Sequence, residues 1–258
     1  MKSIFTGGGV PASRVFVIGE GVDPAAYSPG AAAAALADPA AASIVQLLYA
    51  PFPDGACAAV APSAWQQPRS RFAGAACVWF VSVFKWEARK NWAGLLTAFA
   101  RQFAGPDIPV RACLLIKTSR YLGANPHAEA AVFLETLNLA LNAKYWLRIT
   151  TDELSSGAMV ALYRRARAFV LLSHGEGWGL PALEAMATGT PAIVTGWGGS
   201  LAFAGGGCAL LVDVEAMVPS AIGSYARWAS PDLNHAGALM RRMAEDVRPA
   251  RALRARVR

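Results

Sequence analysis

The stretch AFVLLSHGEGWGLPALEAMATGTPAIVT, residues 168–195, sets two short apolar runs on either side of a helix-length segment. AFVLLS and PAIVT are too short for helices and show no polar alternation, the pattern of strands buried on both faces. Between them HGEGWG reads as a turn. Pro181 fits the first helical position, where its missing N–H costs nothing, and Gly189 closes the helix. A buried strand, a helix and a second buried strand imply a right-handed crossover and a parallel sheet.

The same alternation extends outward from this unit. Beginning near residue 76, ACVWFVSVF is followed by NWAGLLTAFARQF, VRACLLIK by HAEAAVFLETLNLALN, and WLRIT by SGAMVALYRRA; ALLVDV comes after PAIVT. Trp92, Leu95, Leu96, Phe99 and Phe103 recur at helical spacing behind Asn91, a good N-cap, so that helix lays one stripe on the sheet. The expected fold is a doubly wound α/β parallel sheet over residues 73–234. Ahead of it, residues 1–29 read as a linker-like segment with one apolar run, VFVIG, and residues 30–72 as a low-complexity insertion. Residues 235–258 read as a C-terminal helix and a basic tail.

Composition narrows the function classes. The 258 residues are 55% hydrophobic, enough to bury a core. The net charge is +7, but from Arg241 onward seven arginines face only Glu245 and Asp246, so most of the surplus lies in the tail. A basic tail without interleaved aromatics is a solvated face, and nucleic-acid binding is not expected. Cys57, Cys77, Cys113 and Cys208 are widely scattered with no C-x-x-C pair, which is read as reduced thiols in a cytoplasmic protein. The longest apolar stretch, AGAACVWFVSVF, is too short to span a bilayer, and MKSIFTGGGVPASR lacks the apolar run of a signal peptide.

Ligands of doubly wound sheets bind outside the carboxyl ends of the strands, so loops that follow a strand and open a helix carry the chemistry. In the first, Glu176 lies in the loop and Glu184 in the first turn of the next helix. Gly175, Gly177 and Gly179 let the backbone approach a ligand and aim N–H groups at an anion. Carboxylates can hold vicinal hydroxyls, so two of them flanking an anion-binding helix end suit sugar at both ends and phosphate between, the outline of a nucleotide sugar. The plainer reading makes Glu184 a complement to the helix dipole and Glu176 a solvated loop charge. GWGLPA also matches a dinucleotide fingerprint, but that site needs an acid at the end of the next strand, where Thr195 and Gly196 stand.

The second loop, KWEARKN, offers Lys85 and Lys90 to a diphosphate, with Arg89 between them read as a partner of Glu87 or of solvent. In the third, Lys117 ends VRACLLIK, where phosphate contact and simple solvation are both compatible. His174 could hydrogen-bond a phosphate or sugar hydroxyl, or be structural. Gly196, Gly198 and Gly199 bring another backbone edge to the ligand or form a tight turn.

These residues resemble the retaining glycosyltransferases of the GT-B fold, family 4 group. The resemblance rests on SVFKWEARKNWAGLLTAFA (82–100), ALYRRARAFVLLSHGEGWGLPALEAMATGTPAIVTGWGGS (161–200) and, more loosely, GVPASRVFVIGEGVDPAAYSP (9–29). It implies the Rossmann-like C-terminal half of that fold, a nucleotide-diphospho-sugar donor and transfer of a hexosyl group with retention. Glu176 is then the carboxylate near the donor sugar and Glu184 the one holding the ribose hydroxyls. Lys85 and Lys90 are the pair that neutralises the diphosphate, with lysine at 85 where arginine is commoner. His174, Gly175, Gly177, Trp178, Gly179, Leu180 and Lys117 fill out the donor-binding set, Trp178 standing where phenylalanine is usual. The nucleotide sugar is a co-substrate; no cofactor and no metal are implied. The resemblance also implies that the N-terminal acceptor-binding domain is missing, to be supplied by another segment or a partner chain. A non-catalytic nucleotide-sugar-binding or regulatory module is the alternative.

Overall fold

Strand β1, Val78–Lys85, is buried from Val78 to Val81 and ends on an exposed lysine, the profile of a central strand that runs out at the sheet edge. The computed structural model describes residues 22–27, 77–103, 110–137, 145–205, 207–221 and 223–246. On either side of β1 lie β2, Ala112–Ser119, and β4, Ala168–Leu171, both parallel to it. Beyond β2 is β3, Tyr145–Thr150; beyond β4 are β5, Ala192–Thr195, and β6, Leu210–Val212. The order is β3-β2-β1-β4-β5-β6. The chain therefore winds outward from β1 to β3, returns, and starts again at β4. The reversal falls between β1 and β4, the switch point at which such sheets open a crevice. This is the expected doubly wound parallel sheet.

Helices cover the sheet as the apolar spacing predicts. The helix α2, Trp92–Phe103, buries Leu95, Leu96, Phe99 and Phe103, and Phe80 of β1 meets Phe99 edge-on at 6.2 Å between ring centroids. After β2 comes α3, Pro126–Thr136, capped by the Asn125 side chain, which accepts from Ala128 N at 3.3 Å. The helix α4, Ser156–Arg165, is capped in the same way by Ser155 and leads into β4. The helix α5, Leu180–Ala187, connects β4 to β5, and the short α6, Leu201–Ala204, precedes β6.

Two features depart from the sequence reading. Cys77 and Cys113 form a disulfide, with Cα atoms 5.8 Å apart. They are 36 residues apart in sequence, but β1 and β2 pair in a register that puts Val78 beside Ala112, which brings the two cysteines together. The expectation of reduced thiols is corrected for this pair, and with it goes the argument that thiols made for a cytoplasmic protein. Cys208 is free.

An antiparallel hairpin, β7 (Val214–Ser220) with β8 (Gly223–Pro231), follows β6 where only the end of a last strand was expected. The last helix among the described residues, α7, begins at Leu233 and runs to Glu245, capped by Asp232, and packs across α2. Its last turn is held by Arg167, 3% exposed, whose guanidinium donates to the carbonyls of Met243, at 2.6 Å, and Asp246.

Of the linker-like residues 1–29 the described part is 22–27, which carries the one-turn helix α1, Pro24–Tyr27; α1 packs on α4 and α5. The proposed insertion at 30–72 and the basic tail lie outside the described residues. Among the described residues no helix is long and apolar enough to cross a membrane.

Candidate functional site

The loops that follow β1 and β4 are neighbours because their strands are neighbours. The first winds into a single 3-10 turn, Ala88–Lys90, and turns into α2 through Asn91, which has the left-handed φ of 51°. Asn91 serves both loops. Its Oδ1 accepts from Gly94 N at 3.2 Å, capping α2 as expected, while its Nδ2 donates to the Leu172 carbonyl at 2.9 Å. A Cβ on Gly94 would fall 2.5 Å from that amide, so a glycine lets the cap form. The His174 N–H donates to the Arg89 carbonyl at 2.9 Å, a second tie between the loops.

Across this seam the charges meet. The Lys90 ammonium donates to both Glu176 oxygens at 2.7 Å, and the side chains are 12% and 7% exposed. Arg89 bonds Glu87 at 2.6 Å, as expected, but its other nitrogen reaches the Gly175 carbonyl at 2.6 Å and Glu176 at 3.5 Å. Reading Arg89 as a partner of Glu87 or of solvent therefore captured only half its role. It shares a 3-10 turn with Lys90, which aims both cations at the facing loop, and no side-chain spacing reveals that before the strand order is known.

Lys85 takes no part in the Lys90–Glu176 ion pair. It ends β1 exposed, and its side chain makes no hydrogen bond or ion pair among the described residues. Lys117, half-buried at the end of β2, donates to the Thr118 carbonyl at 3.1 Å. Burial pulls its ammonium below the usual lysine range, and the nearby charges of Asp152 and Glu153 push it back.

The glycines divide into two kinds. At Gly175 and Gly177 an added Cβ would meet no described atom within 4 Å, so their faces are open to a ligand. Gly179 has φ 96° and stands just before α5. Gly198 (φ 84°) and Gly199 buttress the glutamate loop instead: Gly199 N donates to the Glu176 carbonyl at 2.9 Å. A Cβ on Gly199 would lie 1.8 Å from the Gly177 carbonyl oxygen. Trp178 leans on Phe203, 6.0 Å between centroids, and Leu180 begins α5 at 38% exposure.

Glu184 sits one turn into α5, half-buried. Its Oε2 accepts from the Tyr163 hydroxyl at 2.7 Å, and Tyr27 comes from α1, which packs on α5. Burial pushes the Glu184 carboxyl up, and the two hydroxyls pull it back. Both tyrosines are pushed up in turn by burial first and by the Glu184 charge second, so both remain donors. Neither tyrosine was singled out from sequence. Tyr163 lies 21 positions before Glu184 and Tyr27 far before either, and only the packing of α1 and α4 on α5 unites them.

His174 is fixed by the unforeseen hairpin. Its Nδ1 meets the Ala229 carbonyl at 2.8 Å, Ala229 N donates to the His174 carbonyl at 3.0 Å, and the ring stacks on Trp228 at 5.0 Å and 12°. A carbonyl only accepts, so Nδ1 carries the proton and Nε2 of the neutral ring is an acceptor. In the neutral ring Nε2 takes a bond from a sugar hydroxyl, and in the protonated ring it donates one to a phosphate.

The cations of the β1 loop meet Glu176 and the glycine loop beside the switch point, with Glu184 on the helix that follows. Residues 129–214 match the family of glycosyl transferases group 1. The group 1 segment takes in Glu176 and Glu184 and stops at the first residue of β7, leaving the Lys85–Asn91 loop outside it. No curated protein matches the chain. Among solved structures, a UDP-forming α,α-trehalose-phosphate synthase from Burkholderia xenovorans in complex with glucose-6-phosphate is 15% identical with a TM-score of 0.60, covering 92% of this chain and 45% of its own. HepE of Anabaena, in complex with UDP and glucose, is also 15% identical, with a TM-score of 0.57 over 98% of this chain and 55% of its own. At that identity the likeness is one of fold, a Rossmann-like α/β sheet of the GT-B kind carrying the group 1 segment. The chain spans about half the length of the solved structures it matches.

Proposed function

We propose that the crevice between β1 and β4 binds a nucleotide diphosphosugar and that the chain is the donor-binding part of a retaining, family 4-like glycosyltransferase that moves a hexosyl group. The observation that carries this reading is the convergence of Lys90 and Arg89 on Glu176, with Glu184 one turn further along α5. In this reading Glu184 holds the ribose diol and Glu176 a hydroxyl of the donor sugar. The diphosphate lies over the start of α5 within reach of Lys90, Arg89 and, after a rotamer change, Lys85. His174, acting as an acceptor through Nε2 of its neutral ring, contacts the sugar.

In the free protein Lys90 neutralises Glu176. When a donor enters, the diphosphate takes up this ammonium and a sugar hydroxyl takes up the carboxylate, so both partners remain satisfied. As the bond from the anomeric carbon to the diphosphate breaks, its electron pair leaves with the phosphate oxygen. Cations and the N–H groups of α5 stabilise the charge as it develops. The acceptor site belongs, in this proposal, to a further domain or a partner chain.

Thermal unfolding with UDP, GDP and ADP tests the binding step, because a ligand at about 100 times its dissociation constant adds roughly 2.7 kcal/mol. Glu184→Gln is expected to weaken the free nucleotide, and Glu176→Gln to weaken UDP-glucose more than UDP. No shift with any nucleotide, or equal weakening of free UDP by both changes, overturns the assignment. Release of UDP from UDP-glucose then separates turnover by the chain from binding alone.

A further inference from the structure

Arg89 and Lys90 sit on a single 3-10 turn, too short to hold a direction by itself, so contacts outside the turn must aim the two cations. We propose that Trp86 is the positioning residue of this diphosphate loop, with Glu129 of α3 as its anchor. This rests on the reading of Lys90 and Arg89 as the groups that take up the donor diphosphate.

Trp86 follows directly on β1 and is 2% exposed, whereas Lys85 before it is exposed. Its backbone N–H donates to the Ser119 carbonyl at 3.1 Å, which carries the pairing of β1 with β2 one residue further. The Trp86 ring stacks on Trp92, the first residue of α2, at 4.6 Å and 20°, and leans on Phe84 at 6.1 Å. Trp92 in turn meets Phe133 of α3 edge-on at 5.5 Å. The indole Nε1–H of Trp86 donates to Oε2 of Glu129 at 2.8 Å. Residues 86 and 92 are the entry and exit of the loop that carries Arg89 and Lys90, so the stacked pair closes that loop at its base.

Core packing alone would be served by phenylalanine or leucine at residue 86. An indole differs because its buried N–H needs an acceptor, and that need selects one orientation of the ring. The acceptor is held in turn: Oε1 of Glu129 takes the Asn125 N–H at 3.0 Å, and the Glu129 N–H donates to the Asn125 carbonyl at 2.9 Å. One carboxylate thus ties the start of α3 to the root of the β1 loop, by a bond that its charge strengthens. Arg89 and Lys90 lie three and four residues past Trp86, and a small rotation at that root moves the Lys90 ammonium off Glu176, now 2.7 Å away. Among the described residues no hydrogen bond or ion pair joins Trp86 or Glu129 to Glu176 or Glu184, so their effect on a donor passes through the loop.

The test uses the full chain and two variants that cut the same bond from different elements. Trp86→Phe keeps a ring for the stack and removes the indole N–H; Glu129→Ala removes the acceptor. Affinities for UDP and for uridine, which lacks the diphosphate, are measured on the folded chains, and thermal midpoints are read alongside. In each variant UDP affinity is expected to fall by about threefold or more, the low end of what one hydrogen bond confers, with uridine affinity unchanged. The double variant should lose no more than the weaker-binding single one, because both changes remove one interaction. A core residue with no positioning role would lower the midpoint and leave the ratio of UDP to uridine affinity alone. That ratio unchanged in both variants, while Lys90→Ala lowers it, overturns the assignment of Trp86. Failure of the underlying reading looks different: Lys90→Ala itself would leave UDP affinity where it was.

Discussion

Glu176 and Glu184 are both carboxylates of one loop-helix unit, but their surroundings treat them in opposite ways. Glu176 is met by two cations, Glu184 by the Tyr163 phenol and burial. Because the folded Glu184 carboxyl titrates above its ordinary value, the stability it contributes is complete below the unfolded value and is lost as pH rises through the folded one. Above that window the native state carries a half-buried charge that unfolding would relieve. Glu184→Gln is therefore expected to raise the thermal midpoint of the free chain at pH 8, with the gain shrinking toward pH 4, although the same change weakens nucleotide binding. Equal midpoints at pH 8 would remove burial as the governing effect at this residue. The spacing of seven between the two acids pointed to both of them. Their division could not be read there, since it depends on Arg89 and Lys90 from one neighbouring loop and Tyr27 and Tyr163 from two other helices.

At the scale of elements, the loop after β4 is held in shape by the loop after β5. Gly199 N takes the Glu176 carbonyl, and its missing Cβ leaves room for the Gly177 carbonyl, which would otherwise be 1.8 Å away. Gly199→Ala must push the two loops apart, an overpacking that typically costs about 1–3 kcal/mol. Gly177→Ala meets no described atom within 4 Å. The expected contrast is a lowered thermal midpoint together with weakened UDP-glucose binding for Gly199→Ala, against an unchanged midpoint with weakened binding for Gly177→Ala. If Gly177→Ala binds UDP-glucose as the parent does, its open face is not where the ligand lies. The strands of the sheet were legible because each is a buried apolar run. The β7–β8 hairpin was not, for its strands VEAMVPS and GSYARWASP mix exposed and covered positions and each contains a proline, which argues against a strand. That hairpin fixes His174 through Ala229 and Trp228, so part of the crevice was hidden with it.

Over the whole molecule the sheet separates two tasks by its two edges. The carboxyl edge, at the switch point between β1 and β4, gathers the charged loops; at the other end of β1 and β2 lies the disulfide. Cys77 immediately precedes β1 and Cys113 is the second residue of β2, so the bond closes a 36-residue span that contains α2 and the β1 loop. Closing a loop of that size restrains the unfolded chain, with a chain-entropy value of about 4 kcal/mol, less whatever relaxation reduction allows. The strand register that joins the two cysteines could not be read from their spacing, because apolar runs announce strands without announcing neighbours. Since the bond lies at the edge away from Glu176 and Lys90, it should act on folding and leave the crevice alone. Reduction, or Cys77→Ser, is expected to lower stability by about 2–4 kcal/mol in urea unfolding. UDP affinity of the folded chain should stay within about twofold, the scatter expected when distant sites are independent. Among Cys77, Cys113 and Cys208, only Cys208 should react with a thiol reagent before reduction. An unfolding midpoint indifferent to reductant would deny the disulfide its role in the fold, and a UDP affinity that fell with the midpoint would show that the two edges of the sheet are coupled.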